Sequence, residues 1–313
     1  MALVLVTLAA ALLLLAALLW AGGGKTVSER CSAGIIEAIP EAPEAPATTP
    51  ETLVVLFARL AYGLETPWTT ASPEALYDRL DAFIEAVAAV GADVVVVQEV
   101  DFASQRTYGL DQLTYIATAL GWKYLARAFT WECRYLPWPP RRRLGRLSAG
   151  MGVLSPYPLV QNVRQRLTSS VREPLLAALF APFPLVQLVD VQCGRATLRL
   201  LSAALSPRNG ATRRRQAQEL VDFVCQVAAP ACLLVGPYGS AEVVARLRTG
   251  LGERLRPVSV EKGGEDMFVF VGSGVQCSRA QFVPTGAGQT SLVLHLRWTS
   301  LPGHQPRRNE NGA

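Results

Sequence analysis

Histidine is nearly missing from this chain. Only His295 and His304 occur in 313 residues. That excludes a histidine-rich metal site and leaves few candidates for an imidazole base. Cysteine is present but not in a metal-binding arrangement. Cys31, Cys133, Cys193, Cys225, Cys232 and Cys277 form no C-x-x-C pair, which argues against a structural zinc cluster. Cys225 falls in a helical pattern and Cys232 in a strand pattern, so both read as small buried hydrophobes. A domain of this size does not need disulfides. Charge of one sign is also in short supply. The net charge is +5 and the pI is near 9.0, too weakly basic to support specific nucleic-acid binding.

Charge is absent altogether from residues 1–21, MALVLVTLAAALLLLAALLWA. As a helix rising ~1.5 Å per residue, this run would span about 30 Å, one bilayer core. Trp20 would lie at the interface. The rival reading is a signal peptide cut near the small residues Ala21, Gly22 and Gly23. The basic start of a signal peptide is missing and the apolar run is long for one. We therefore expect residues 1–23 to be a membrane anchor, with secretion the outcome if they are cleaved. Cys31 lacks the surroundings of a lipoprotein cysteine. Residues 24–51 include AIPEAPEAPATTPE, too rich in Pro, Ala and Glu for a core, and read as an extended spacer. Residues 301–313 are a polar tail.

Between them, residues 52–300 form the globular part. Half of the whole chain is hydrophobic, enough for one large α/β domain of about 250 residues. LVVLFA (53–58) is a continuous apolar run and reads as a buried strand. Ser72-Pro73-Glu74 is a helix start: a capping hydroxyl, a Pro in the first turn and an acid at the positive end of the dipole. Leu76, Leu80, Phe83, Ile84, Val87 and Val90 then share one face, and Gly91 closes the helix. Asp93 and four valines predict a second buried strand, ending in Gln98-Glu99-Val100-Asp101. A helix over about 110–120 and a strand from Trp122 to about Phe129 follow. Residues 131–146, WECRYLPWPPRRRLGR, read as irregular. GMGVLS (150–155) is a strand, and LVQLVDVQ and ATLRLLSA form a hairpin around Cys193-Gly194-Arg195. A helix over about 211–228 leads to the strand ACLLVG, and another capped helix starts at Ser240. MFVFVG, SRAQFV and SLVLHLRW complete the strands. Strands outnumber helices and do not alternate with them strictly. This predicts an α/β (α+β) four-layer sandwich, two packed, mainly antiparallel sheets flanked by helices.

These pieces, in this order, resemble the endonuclease/exonuclease/phosphatase superfamily with its deoxyribonuclease-I-like fold. ADVVVVQEVD (92–101) is similar to the family's metal-carboxylate strand. GMGVLSPYPL (150–159) resembles its G-x-x-x-LS-x-x-P-[IL] stretch, and RRRQAQEL (213–220) its R-x-x-Q-x-x-x-L helix. WECRYLPWPP with the following LGR and SAG is similar to a loop of bacterial members. The resemblance implies metal-dependent hydrolysis of phosphoric esters, with Mg²⁺ or Mn²⁺ held by strand-end carboxylates.

Carried over residue by residue, the resemblance leaves a depleted set. Glu99 stands at the metal carboxylate and Asp266 at a later Asp. Elsewhere the expected polar groups are replaced. Arg59 stands where the family has Asn, Ala204 where it has a strand-end His, and Pro237 and Gly239 where it has Asp and Asn. Gln289 and Thr290 follow Gly288 in place of Ser-Asp-His. His295 lies five residues beyond the expected His, about 17 Å along a strand. We therefore expect Arg59 to form an ion pair with Glu99 where the family holds its metal. Arg141, Arg142 and Arg143 are a weaker candidate for binding an anionic substrate or ligand, against the reading of a solvated loop.

The resulting expectation is a membrane-anchored, degenerate member with no cofactor. It would have a binding or scaffolding role toward an anionic ligand or a protein partner, with the domain extracytoplasmic. The alternatives are a weak or altered Mg²⁺-dependent hydrolase working from Glu99 and Asp266, and a structural domain without ligand.

Overall fold

The computed structural model describes residues 5–7, 9–10, 12–13, 31–66, 69–136, 144–169, 182–206, 210–260, 266–286 and 289–299. The chain begins with two short strands, β1 (Cys31–Ala33) and β2 (Ile35–Ala38). Next come β3 (Thr52–Arg59), α1 (Pro73–Ala89), β4 (Val94–Asp101) and α2 (Gln112–Leu120). Four antiparallel strands follow: β5 (Tyr124–Leu136), β6 (Gly145–Ser155), β7 (Leu159–Arg166) and β8 (Leu185–Cys193). Then come β9 (Ala196–Ala204), α3 (Gly210–Val227), β10 (Cys232–Pro237) and α4 (Ala241–Leu251). The last strands are β11 (Leu255–Pro257), β12 (Met267–Gly272), β13 (Val275–Pro284) and β14 (Thr290–Trp298).

The strands form two seven-stranded sheets. One runs β1-β7-β8-β9-β10-β12-β11 and the other β13-β14-β3-β4-β6-β5-β2. Among the described residues, β3/β4 and β9/β10 pair in parallel and the remaining pairs are antiparallel. The sequence accounts for the layering. In β4 the four valines alternate faces. Val94 and Val96 join the core between the sheets, while Val95 and Val97 pack under α1 and α2. A strand covered on both faces must be apolar throughout, which is why the run is continuous. On the other sheet, Leu220, Val224 and Leu247 of α3 and α4 pack on Leu201, Leu234 and Phe270. The order of layers is helix, sheet, sheet, helix.

The capping residues behave as their chemistry dictates. Ser72 accepts from Ala75 N at the start of α1, and Asp111 from Thr114 N at the start of α2. Gly121 closes α2 in the left-handed conformation. All six cysteines are unpaired. Burial drives the thiols of Cys193 and Cys232 up to about 12.

Two stretches differ from the sequence reading. Residues 131–136 continue β5 rather than being irregular, and β6 already starts at Gly145. The hairpin they form folds over the turn at 60–64, burying Trp131, Cys133 and Leu136 against Tyr62 and Leu64. Long-range burial thus extends a strand that its Pro-rich continuation obscured. The second difference is in the spacer. Within residues 24–51, β1 pairs with β7 of one sheet and β2 with β5 of the other. Asn162 ties the crossing by donating to Ile35 O and Arg127 O. A Cβ at Gly34 would sit 2.3 Å from Asn162 Nδ2, so a side chain there would displace the amide that ties the crossover. Residues 39–50 then lie along the end of the sandwich. Lys123 pairs with Glu44, Arg195 N donates to Thr49 Oγ1 at 2.9 Å, and Trp298 Nε1 donates to Pro50 O at 2.9 Å. The described residues 31–51 of the expected spacer are thus part of the sandwich.

The expected anchor, 1–23, falls mostly outside the described residues, as does the tail 301–313. Among the described residues, no helix is long and apolar enough to cross a membrane.

Candidate active-site rim

β3 and β4 run side by side, with Arg59 opposite Gln98, so both end at one rim. There β4 bulges. Its register to β6 shifts between Gln98 and Val100, and Glu99 takes a left-handed backbone with φ 57°. A non-glycine residue in that region costs of order 1–3 kcal/mol, and bulges of this kind re-aim a side chain. Gln98 turns inward and donates to Ser202 Oγ at 2.9 Å and Ala203 O at 3.2 Å, bridging the sheets. Glu99 turns outward to the rim.

What meets Glu99 is a guanidinium. Arg59 Nη2 donates to Glu99 Oε1 at 2.5 Å, with side chains 21% and 27% exposed. The same guanidinium stacks on Tyr238, with its central carbon 5.2 Å from the ring centroid. Tyr238 follows β10, also in the left-handed region at φ 63°. The residues expected to approach each other, Arg59 and Glu99, are thus brought together, and an aromatic ring covers the pair. Sequence reasoning missed Tyr238, because nothing in PYG says where its ring will point.

The other positions singled out in the sequence are placed as follows. Ala204 ends β9 and packs beside Ala128, Met151 and Leu185. Pro237 ends β10 opposite Met267. Gly239 N donates to Asp266 O at 2.8 Å. A Cβ at Gly239 would sit 2.7 Å from the Met267 carbonyl carbon and 2.8 Å from its oxygen, so this turn has no room for a side chain. Asp266 is exposed at the start of β12. Gln289 closes the β13–β14 turn by exchanging backbone bonds with Gly286 and Thr285, and Thr290 is exposed. His295 sits opposite Val54, five residues down β3 from Arg59. Arg141, Arg142 and Arg143 lie outside the described residues.

Behind the rim lies a second ion pair. Arg106 grips Asp101 through Nε at 2.9 Å and Nη2 at 2.8 Å, both side chains fully buried. Ser104 and Thr107 donate to the same carboxylate at 2.8 and 3.0 Å. The guanidinium packs against the rings of both Tyr62 and Trp131, at 4.0 and 4.8 Å from their centroids. Burial pushes the Tyr62 phenol far above its ordinary value, and the charge on Glu99 adds to the effect. A cleft of about 260 Å³ lies beside the rim, between Leu60–Leu64 and Gln289, while a larger groove of about 530 Å³ opens at the distant β11–β13 edge.

The sequence pattern of the Endonuclease/Exonuclease/phosphatase family matches residues 60–236, more than half of the chain. The chain belongs to this family. Solved structures agree on the fold. A family protein from Beutenbergia cavernae superposes with a TM-score of 0.57 at 17% identity, over 82% of this chain and 74% of that one. The catalytic domain of human nocturnin, solved with a bound sulfate anion, gives 0.54 at 15% identity, over 85% and 97%. A mannosyl-6-phosphatase from Bacteroides thetaiotaomicron gives 0.53 at 11%, over 79% and 100%. No curated protein matches the chain.

The family's divalent metal does not fit the residues present. Glu99, the carboxylate expected to hold it, is hydrogen-bonded to the Arg59 guanidinium, and a second cation there would be repelled. No three His, Cys, Asp or Glu side chains gather as a metal-binding group among the described residues. Hard cations such as Mg²⁺ require several oxygen donors, and the carboxylate at the end of β4, Glu99, is already engaged by Arg59.

Proposed function

We propose that this family member has lost hydrolytic chemistry and keeps the fold for binding or scaffolding at a membrane. The observation that carries this reading is the Arg59–Glu99 pair under Tyr238, which sets a fixed positive charge at the metal carboxylate. The apolar run 1–21 supports attachment to a bilayer, and we assign the domain to the extracytoplasmic side. The partner is an anionic ligand or a protein. Each missing acid–base group typically costs about 10²–10⁴ in rate, so several together leave little activity even when non-additive.

The test is hydrolysis of bis(4-nitrophenyl) phosphate by the full chain with Mg²⁺ or Mn²⁺, beside Glu99→Gln. The expected result is no turnover above that variant. Metal-dependent turnover abolished by Glu99→Gln would instead favour an altered phosphodiesterase.

A further inference from the structure

Among the described residues the two sheets present four edges, and these are not equally closed. β1 and β11 flank one sheet, β13 and β2 the other. β1 and β11 have three residues each and β2 has four. β13 has ten. One side of it pairs with β14 from Val275 to Pro284, and no described strand pairs with the other. A long strand with an open row of N–H and C=O groups is a template for a further strand.

A groove of about 530 Å³ opens along this edge, a size typical of ligand sites. β13 lines it from Val275 to Ala280, and Arg256 to Ser259 line it from β11 onward. Val275, Cys277 and Ala280 pack with the core between the sheets, while Gln276, Ser278 and Arg279 are exposed. The register to β14 slips at Ser278, whose hydroxyl donates to His295 O at 3.1 Å. The slip sets Arg279 opposite His295, and Arg297 stands opposite Gln276.

Charge selects what can lie there. The charged side chains lining the groove are Arg256 and Arg279. Both are exposed, as is Arg297 one strand over, and none of the three makes an ion pair among the described residues. On the β2 edge, by contrast, Glu37 is already paired with Arg127. A second copy of the β13 edge would bring arginine against arginine, the repulsion by which edge charges prevent self-pairing. A strand carrying carboxylates meets no such repulsion and finds unpaired guanidinium groups.

We propose that β13 is the docking edge for an acidic, extended segment of a partner protein. The segment adds to the sheet by backbone pairing, and its carboxylates meet Arg256 and Arg279. This rests on the binding reading above for the class of partner, not on the state of the rim. Cys277 faces Leu296, which faces Leu53 at the start of β3, whereas Arg59 at its end meets Glu99. Hydrolysis at the rim and docking at the edge therefore stand or fall separately.

The full chain in neutral detergent micelles is titrated with a fluorescein-labelled peptide of about ten residues alternating Glu and Thr, long enough to lie along β13. Anisotropy reads binding, and amide hydrogen exchange reads backbone pairing. The expected result is saturable binding that slows exchange in 275–284 and leaves 35–38 unchanged. Arg256→Glu with Arg279→Glu should weaken it about tenfold or more. Arg134→Glu with Arg146→Glu makes the same charge change on the β5–β6 hairpin and should weaken it by less than about threefold. All four side chains are exposed, so both double variants should keep the wild-type urea midpoint. Absence of saturable binding overturns the proposal. Equal weakening by the two double variants does so too, because it leaves only overall charge. Binding without protection of 275–284, or equal binding of a Lys–Thr peptide, also overturns it. Capture of phosphatidylglycerol vesicles instead of the peptide, lost in Arg256→Glu with Arg279→Glu, would assign the face to a lipid surface.

Discussion

Two ion pairs stand two residues apart along β4, and they are built differently. Asp101–Arg106 is sealed from solvent. Its carboxylate takes four hydrogen bonds, and its guanidinium packs against two rings. Arg59–Glu99 is partly exposed, with Arg59 Nη2 donating to Glu99 Oε1. A sealed charge pair must be complete, because removing one partner strands the other in low dielectric. A pair at a wet rim carries no such demand. The first therefore holds the loop that shapes the rim, and the second occupies a place from which function can be exchanged. The fold and the chemistry are secured by different residues, so one can persist when the other is lost.

Three substitutions probe that contrast. The largest effect is expected for Arg106→Ala, which leaves Asp101 buried and uncompensated and removes the group packed against Tyr62 and Trp131. A loss of about 3–5 kcal/mol is expected, read by urea denaturation. A loss below about 1 kcal/mol would erase the distinction between the pairs. Next comes Arg106→Lys, which keeps the charge but not the two-pronged geometry or the planar stacking. Its midpoint should fall between those of wild type and Arg106→Ala; coincidence with Arg106→Ala would assign the effect to geometry alone. The smallest effect is expected for Arg59→Ala, about 1 kcal/mol or less. A cost comparable to that of Arg106→Ala would make the rim pair a structural element rather than a replaced catalytic one.

How far these features can be read in the sequence varies with their range. The valine run, the Ser72-Pro73-Glu74 start and the hairpin around Gly194 are local patterns, and the structure follows them. The proximity of Arg59 and Glu99 was legible because two parallel neighbouring strands end together, given the family's order of strands. Contacts set at long range were not. CSAGIIEA has no strand signature of its own and pairs only because β5 and β7 leave open edges beside it, where Asn162 and the Arg127–Glu37 ion pair hold it. Residues 131–136 are strand because Trp131 and Leu136 find a cover in Tyr62 and Leu64, distant in sequence. The Asp101–Arg106 grip depends on a turn whose direction the spacing does not reveal, and the ring of Tyr238 depends on a left-handed residue in a turn. In each case the deciding partner lies elsewhere in the chain.

The most direct measurement is Mn²⁺ binding, followed by the loss of free-ion electron paramagnetic resonance signal. It compares wild type, Arg59→Asn and Glu99→Gln, so that one variant removes the competing cation and the other the carboxylate. The account predicts no stoichiometric binding by wild type, and stronger binding by Arg59→Asn than by either other chain. One Mn²⁺ bound per wild-type molecule, and lost in Glu99→Gln, would show that Glu99 is still a metal ligand and would contradict the account.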